Sequence, residues 1–228
     1  MTRLSFELPD GETVQVTVRT LLNAGYAGRS QEEVAAHVAE LAELGVPAPS
    51  VTPSLYPVAP YLAMQTEEVP VQHGRTSGEA EWALVVTEAG VLLTAACDHT
   101  DRALEVHGVA WSKQAGPDVL ARQAWRLDAV ADRIDRIALT GWVTGADGRE
   151  QLIQQGTLGE LLSPRYWLER LRADGLAEPG TVLLSGTIPM KPGVDQFAAA
   201  WRVELADPDT GARVSCGYTV RRLPAPVG

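Results

Sequence analysis

Two glutamates two residues apart, Glu79 and Glu81, open a mostly apolar stretch that continues to Val86. Because side chains alternate between the two faces of a strand, both carboxylates leave the same face of a strand here. Neighbouring carboxylates repel each other, and a hard divalent cation that prefers oxygen ligands removes that conflict. The pattern therefore predicts either a strand with a cation site or, as is more common for Glu-x-Glu alone, a solvated polar face.

A third carboxylate, Asp98, follows after one short hairpin. If the turn is Ala89-Gly90, Glu81 lies opposite Asp98, and opposed residues of an antiparallel pair share a face. A three-residue turn would place Asp98 on the other face unless a bulge corrected it. We therefore expect Glu79, Glu81 and Asp98 to converge if the turn has two residues.

Length and composition favour one globular chain with a sizeable core, since 45% of the 228 residues are hydrophobic. The net charge of −10 argues against nucleic acid and anionic membranes as partners. No apolar run is long enough for a transmembrane helix, and the N-terminus lacks the apolar core of a signal peptide. With Cys97 and Cys216 as the cysteines, we expect a cytoplasmic protein without a disulfide framework.

Alternating and helical patterns predict more strands than helices, which indicates a mixed, mostly antiparallel α+β fold. An N-terminal hairpin around Pro9-Asp10-Gly11 precedes a helix from Gln31 to Leu44 that a Ser30-x-x-Glu33 capping box begins. A second helix should run from Ser163-Pro164 to Asp174, and a short one around Val119 to Trp125. The predicted strands are Glu79–Thr87, Val91–Cys97, Ile134–Trp142, Gln151–Thr157, Thr181–Gly186, Ala199–Leu205 and Val214–Arg221.

Two further groups of polar residues could carry chemistry. His37 and Glu40 share a face of the first helix, and a carboxylate beside an imidazole suits the activation of a water, although a surface pair is the plainer interpretation. Arg102 could clamp a carboxylate and Lys113 could stabilise a developing oxyanion. A plain charged loop is the alternative for these two residues.

The segment after the apolar Val182-Leu183-Leu184 is a further candidate. Gly186-Thr187 offers backbone amides and a hydroxyl that could hold an anionic substrate. More often such a segment is only a turn. His99 and His107 could also bind a metal, but the acidic surroundings fit oxygen coordination better.

In this order the segments resemble the fumarylacetoacetate hydrolase superfamily. That superfamily carries a Glu-x-Glu strand, an Asn-Asp-x-Ser/Thr-Ala-Arg-Asp-x-Gln segment, a Lys and a late Thr-Gly-Thr-Pro turn. The counterparts are Glu79-Ala80-Glu81, the segment from Cys97 to Glu105, Lys113, and Ser185 to Pro189, while Ala36 to Leu41 is similar to the His-x-x-Glu lid of small members. The match spans residues 23 to 190 in the right order.

The chain also departs from that pattern. Cys97 stands in place of Asn, Glu105 stands in place of Gln, and the segment after Lys113 is shortened. These differences indicate a divergent branch and affect substrate identity more than metal binding.

The resemblance implies a β-sandwich or β-roll, with residues 1–45 as an N-terminal hairpin and lid helix and residues 46–228 as the catalytic part, in a homodimer. Mg²⁺ or Mn²⁺ would be held by Glu79, Glu81 and Asp98, with Arg102, Gly186 and Thr187 binding a 2-oxo or 2,4-dioxo acid. Catalysis would fall to His37, Glu40 and Lys113.

The implied reaction is hydrolysis of a C–C bond in a 2,4-dioxo acid or decarboxylation of a 2-oxo acid, through a metal-stabilised enolate. Two alternatives remain open at this point. One is an isomerase or hydratase on the same scaffold, and the other is a non-catalytic binding protein that kept the fold.

Overall fold

A computed structural model describes residues 2–43, 45–225 and 227, without the side chains of His37 and Leu41. Most of the regular structure in these residues is β-strand, with few helices, so the expected α+β class is consistent with the fold. The helices are α1 (Gln31–Glu43), α2 (Val109–Gln114) and α3 (Pro164–Ala173).

The strands form two larger sheets and two small ones among the described residues. In chain order they are β1 (Arg3–Glu7), β2 (Thr13–Thr17), β3 (Thr20–Gly25), β4 (Ser54–Val58), β5 (Ala63–Met64), β6 (Glu68–Val71), β7 (Thr76–Ser77), β8 (Ala80–Thr87), β9 (Gly90–Asp98), β10 (Thr100–Asp101), β11 (Asp118–Leu120), β12 (Trp125–Arg126), β13 (Ala138–Thr144), β14 (Glu150–Thr157), β15 (Thr181–Leu184), β16 (Ala200–Ala206) and β17 (Arg213–Arg222).

The larger sheet is curled. Its order is β4-β3-β15-β8-β9-β11-β5, with β12 also on β9. Three strands separate β3 from β11, which in a flat sheet would hold them roughly 19 Å apart. Nevertheless the Asn23 side chain on β3 donates to Asp118 on β11 over 3.1 Å. The sheet therefore bends until the inner faces of distant strands meet.

The curled sheet is apolar on both faces, and alternation along each strand assigns every residue to one of them. The inner face packs Ala83, Val85, Ala96 and Leu120 against the β1–β2 hairpin, in a core that also contains Leu4 and Phe6. The outer face packs a second core, rich in buried tryptophan, against the sheet ordered β14-β13-β16-β17-β6. Positions 23, 81, 98 and 118 have the inward parity, so polar groups there face the inside of the curl.

The turn of the β8–β9 hairpin lies one residue earlier than predicted. Thr87 pairs with Gly90, and Glu88-Ala89 makes the turn. The Thr87 hydroxyl donates to the Gly90 carbonyl over 2.7 Å and accepts from the Ala89 N–H over 3.1 Å. These side-chain bonds stabilise this turn over Ala89-Gly90.

The shifted turn changes which acidic residues are paired. Glu81 lies opposite Ala96, so the predicted Glu81–Asp98 pairing is wrong. Asp98 instead donates its backbone N–H to the Glu79 carbonyl over 3.2 Å. The pairing has moved by two residues, and a two-residue shift leaves every side chain on its original face.

Most other predicted elements are present with small changes in their bounds. The helix predicted over Val119 to Trp125 is wrong, because Asp118–Leu120 pairs with β9 and β5 as a strand and a second short strand follows at Trp125–Arg126. Helix α2 was not predicted from the sequence. The predicted last residue of the first helix, Leu44, lies outside the described residues.

In the described part of the chain, no helix combines the length and apolarity that crossing a bilayer requires. The division of the chain at residues 45 and 46 stays a prediction. The β1–β2 hairpin packs on the same core as the inner face of the curled sheet.

Candidate metal centre

Three carboxylates meet where β8 begins and β9 ends. Glu79, Glu81 and Asp98 each offer an oxygen, and these oxygens all lie within 4.8 Å of one another. Glu81 and Asp98 are fully buried, while Glu79 is partly exposed. The structure thus brings the predicted ligand residues together, and their role as ligands stays a prediction.

Lys113 reaches into this cluster from α2. Its ammonium donates to Glu79 Oε2 over 3.1 Å and also donates to Asp98 Oδ2. Burial acts to lower the pKa of Lys113, but Asp98, Glu79 and Glu81 outweigh it and raise that pKa well above its ordinary value. The residue is 5% exposed, so a buried ammonium lies against the carboxylates.

Arg102 fixes the outer carboxylate of the cluster. Its guanidinium donates to Glu79 Oε1 over 2.8 Å, to the Ser77 hydroxyl over 2.7 Å and to both oxygens of Glu105 at 3.1 and 3.2 Å. Burial raises the pKa of Glu79, yet Lys113 and Arg102 together lower it to about 2. Binding of a substrate carboxylate by Arg102 stays a prediction.

The loop after β15 holds Glu81. The Gly186 N–H donates to Glu81 Oε2 over 2.8 Å, and the Thr187 hydroxyl donates to the Ala80 carbonyl over 2.8 Å. Gly186 has φ +78°, and a Cβ there would lie 3.1 Å from that of Ala27, so glycine suits the position. Substrate binding by Gly186 and Thr187 stays a prediction.

Glu81 itself is held in an acidic, water-excluded place. Burial raises the pKa of Glu81 well above its ordinary value, and Asp98, Glu79 and Asp118 add to the rise against the opposing effect of Lys113. Its Oε1 atom is buried and has no hydrogen-bond partner among the described residues. An orphaned carboxyl oxygen in an acidic cluster fits a cation as its missing partner.

Gln154 on β14 is a site residue that the sequence did not reveal. Its Oε1 accepts from the Ala80 N–H over 2.8 Å, and its Nε2 donates to the Thr187 hydroxyl over 2.7 Å and to the Ile188 carbonyl over 2.5 Å. Since Ala80 separates the two glutamates, Gln154 fixes the backbone that spaces their carboxylates. It comes from the other sheet, which is why no local pattern indicates it.

Gln154→Leu should lower the free energy of unfolding by about 2–4 kcal/mol, because buried hydrogen-bonding groups of Ala80 and Ile188 lose their partner. Urea denaturation measures the loss. Gln155→Leu is the matched control, since Gln155 is the exposed neighbour on the same strand and should change stability by less than about 0.5 kcal/mol. Equal losses in the two variants would contradict the role of Gln154.

Asp118 and Asn23 are two more buried polar residues that were missed. Asp118 lies in register opposite Asp98, and Asn23 donates to Asp118 Oδ1. Burial raises the pKa of Asp118 well above its ordinary value, and the neighbouring Asp98 raises it further. The sequence did contain a signal for each of them, namely a polar residue in an otherwise apolar strand. The two stretches are Leu21-Leu22-Asn23-Ala24 and Asp118-Val119-Leu120.

The His37–Glu40 pair lies on α1. The His37 side chain is outside the described residues, and Glu40 is exposed. Tyr26, five residues before the helix, has φ 55°. Burial raises the pKa of Tyr26 to about 12, with contributions from Tyr56, Glu105 and Glu79. The catalytic role of His37 and Glu40 stays a prediction.

His99 does not join the carboxylates. Its Nδ1 bonds the Tyr218 hydroxyl and its Nε2 bonds the Thr76 hydroxyl, each over 2.9 Å. Burial, with help from the charge of Arg102, lowers the pKa of His99 to about 4. A neutral imidazole with both nitrogens used by the protein is a structural group beside the site.

The donor set fits a hard divalent cation. Carboxylate oxygens make up the cluster, and oxygen is the donor that Mg²⁺ and Ca²⁺ prefer. No thiol or imidazole nitrogen belongs to the cluster among the residues that the structure describes. The residues present therefore fit the expected Mg²⁺ or Mn²⁺ and do not fit a soft metal.

A family profile described as "Protein of unknown function (DUF2848)" matches residues 24–218. None of the curated proteins matches the sequence. Among solved structures, the fold is similar to that of Cg1458, with 17% identity, a TM-score of 0.61 and coverage of 91% of this chain and 77% of that chain.

The fold is also similar to 2-keto-3-deoxyarabinonate dehydratase. A hexagonal crystal form of it has 16% identity and a TM-score of 0.62, over 92% of this chain and 75% of that chain. The 2-keto-3-deoxy-D-arabinonate dehydratase complexed with magnesium and 2,5-dioxopentanoate has 17% identity and a TM-score of 0.62, over 90% of this chain and 74% of that chain. At these identities the likeness concerns the fold, and it is compatible with the fumarylacetoacetate hydrolase type.

Proposed function

Because this chain belongs to the DUF2848 family, whose description assigns no activity, we propose a function from its site: a divalent-metal-dependent lyase that acts on a small 2-oxo acid. The observation that carries the proposal is the buried Lys113 ammonium against two of three clustered carboxylates. A dehydratase of similar fold that was crystallised with magnesium and a dioxo acid supports the reaction class.

Glu79, Glu81 and Asp98 would hold the cation, which is Mg²⁺ or Mn²⁺ in this proposal. When bound, it would supply Lewis-acid stabilisation of negative charge on the 2-oxo group. Arg102 and Gly186 keep two of these carboxylates in place, and Gln154 fixes the peptide between them. These contacts hold the site before a substrate arrives, as electrostatic catalysis requires.

Lys113 is the residue that would act on charge. Its ammonium is buried, so it interacts strongly with negative charge that develops on the substrate during elimination. Glu79 and Asp98 hold its Nζ at the cluster. Lys113 therefore would stabilise the negative charge of the enolate-like transition state.

Hydrolysis of a C–C bond in a 2,4-dioxo acid is the second candidate. The observation that favours it is the His-x-x-Glu spacing of His37 and Glu40 on α1, and Tyr26 before this helix interacts electrostatically with Glu79 and Glu105. A lid movement of this helix would bring His37 and Glu40 to a substrate, where the pair would activate water. Decarboxylation of a 2-oxo acid would use the same carboxylates and Lys113 without the helix.

A substrate panel with Mg²⁺ or Mn²⁺ separates these reactions. A 3-deoxy-2-oxo sugar acid tests dehydration, acylpyruvates test C–C hydrolysis through release of pyruvate, and oxaloacetate tests decarboxylation. Turnover of the first class with none of the others supports the lyase. Metal binding without turnover of any of them would contradict the enzyme and favour a binding protein.

If acylpyruvates are the substrates, His37→Ala should lower kcat by about 10²-fold, the usual effect of losing a general base. Mn²⁺ affinity should stay unchanged, since His37 is not proposed as a ligand. Steady-state kinetics and calorimetry measure the two quantities. If the variant has the kcat of the wild type, His37 is not a catalytic residue and is only a surface residue of α1. Assembly as a homodimer likewise stays a prediction, which light scattering tests.

A further inference from the structure

Asp118 brings a fourth carboxyl group to the inside of the curled sheet. It lies opposite Asp98 across the β9–β11 pair, so the two side chains share the inner face. Asp118 is 1% exposed and Asn23 is fully buried. Solvent therefore does not account for the polar atoms of either residue.

The oxygens of the predicted ligands divide into two kinds. In Glu81, Oε2 accepts from the Gly186 backbone while Oε1 has no partner among the described residues. In Asp98, Oδ1 accepts from the Thr100 hydroxyl over 3.2 Å while Oδ2 bonds the Lys113 ammonium. In Glu81 and Asp98, one oxygen thus accepts from a neutral donor, while the second oxygen has no partner among the described residues in Glu81 and bonds the Lys113 ammonium in Asp98.

Asp118 follows the same pattern. Its Oδ1 accepts from Asn23 Nδ2 over 3.1 Å, while its Oδ2 is buried and lacks a partner in the part of the chain that is described. Metal-binding carboxylates are commonly oriented in this way by a second hydrogen bond from the protein. The orphaned Oδ2 of Asp118 therefore resembles Oε1 of Glu81, although Asp118 is not one of the three residues whose oxygens lie within 4.8 Å of one another.

The charges at the site point the same way. Glu79, Glu81, Asp98 and Asp118 carry four carboxyl groups, and Lys113 is the cation that contacts Glu79 and Asp98 directly. Arg102 bonds Glu79 but is shared with Glu105, which carries its own carboxylate. A divalent cation would offset part of the negative charge that these carboxyl groups carry when they are ionised.

We propose that Asp118 is a fourth carboxyl ligand of the cation and that Asn23 holds it in position. The inference rests on the metal site of the proposed function. In this proposal four carboxyl groups would bind the cation. They belong to Glu81 on β8, Asp98 on β9, Asp118 on β11 and Glu79, the residue before β8. Asn23 would link β3 to the same centre, so that metal binding would join strands from both sides of the curl.

The test is the binding of Mn²⁺ in the absence of any substrate. Titration calorimetry measures the affinity, and the electron paramagnetic resonance spectrum reports the surroundings of the bound Mn²⁺. Asp118→Asn keeps the shape and removes the negative charge, and it should weaken Mn²⁺ affinity by at least about 10-fold. In chelator, the thermal midpoint should be unchanged or higher, because a like charge next to Asp98 is removed. Asn23→Leu should weaken Mn²⁺ affinity less than Asp118→Asn does. It should change the spectrum of bound Mn²⁺ in the same way as Asp118→Asn.

Asp207→Asn is the matched control, since Asp207 is also buried, follows β16 of the other sheet and pairs with Arg133. It should lower stability and leave Mn²⁺ affinity unchanged. Equal affinity of wild type and Asp118→Asn would overturn the role of Asp118 while the metal centre stands. A wild-type protein that binds no Mn²⁺ would overturn both this inference and the proposed function. If Asn23→Leu does not fold, Asp118→Asn decides.

Discussion

Glu81→Gln should weaken Mn²⁺ affinity by more than about 100-fold. Loss of a residue that only hydrogen-bonds a metal ligand weakens affinity by up to about 100-fold, and Glu81 is proposed as a ligand itself. Glu81 is fully buried, and its Oε1 is without a partner in the described residues, so an amide at this place cannot replace the charge that a cation needs. Turnover of the substrate found in the panel should be largely abolished. Calorimetry and steady-state kinetics measure the two effects.

Without metal, the same variant should be as stable as wild type or more stable. Burial and three neighbouring carboxyl groups raise the pKa of Glu81, so its ionised form is costly in the metal-free protein, and an uncharged glutamine removes that cost. Glu204→Gln is the matched control, because Glu204 is a mostly buried glutamate paired with Arg213 on the other sheet. If Glu81→Gln and Glu204→Gln bind Mn²⁺ like wild type, Glu81 is not a ligand.

Lys113→Met should destabilise the metal-free protein by about 3–5 kcal/mol, because removing one partner leaves buried charge uncompensated. Glu79 and Asp98 would then face each other without the ammonium that bonds both of them. Mn²⁺ should restore more stability in the variant than in wild type, and its affinity should rise, since a positive charge next to the ligands is gone. Thermal unfolding with chelator and with Mn²⁺ measures this.

Kinetics test the second part of the Lys113 proposal. An ammonium that acts on charge developing in the transition state contributes mainly to kcat, so kcat should fall by about 10²–10³-fold while KM changes less. Lys191→Met is the control, because Lys191 is exposed and bonds Gln155 away from the cluster. A wild-type kcat in Lys113→Met, measured with metal bound, would remove Lys113 from catalysis.

The position of the acidic cluster could be predicted even though the turn was placed wrongly. The period of two puts Glu79 and Glu81 on one face, and an error of two residues in the pairing kept Asp98 on that face. The turn itself depends on the Thr87 hydroxyl, a side-chain contact that the alternation of apolar and polar residues does not reveal. A one-residue error in pairing would instead have removed Asp98 from the site.

The helix predicted over Val119 to Trp125 is a case in which a wrong element did change the predicted site. A short apolar run does not distinguish a helix from a buried strand, and Asp118–Leu120 pairs with β5 and β9, which lie far away in sequence. Because a helix was predicted here, Asp118 was not recognised as a candidate site residue. Its acidic side chain becomes a candidate only when the strand pairing places it opposite Asp98. Gln154 was hidden in the same way, because it reaches Ala80 from another sheet.

By itself the sequence determined the strand-rich α+β class, the common face of Glu79 and Glu81, and the presence of Asp98 and Lys113 within one short stretch of chain. These follow from side-chain periodicity and local spacing, which any strand or helix obeys wherever it lies. Only the tertiary structure decided that Lys113 points into the cluster and that Asn23 meets Asp118. The Asn23–Asp118 contact arises because the sheet curls, and curling allows both apolar faces of the sheet to be buried.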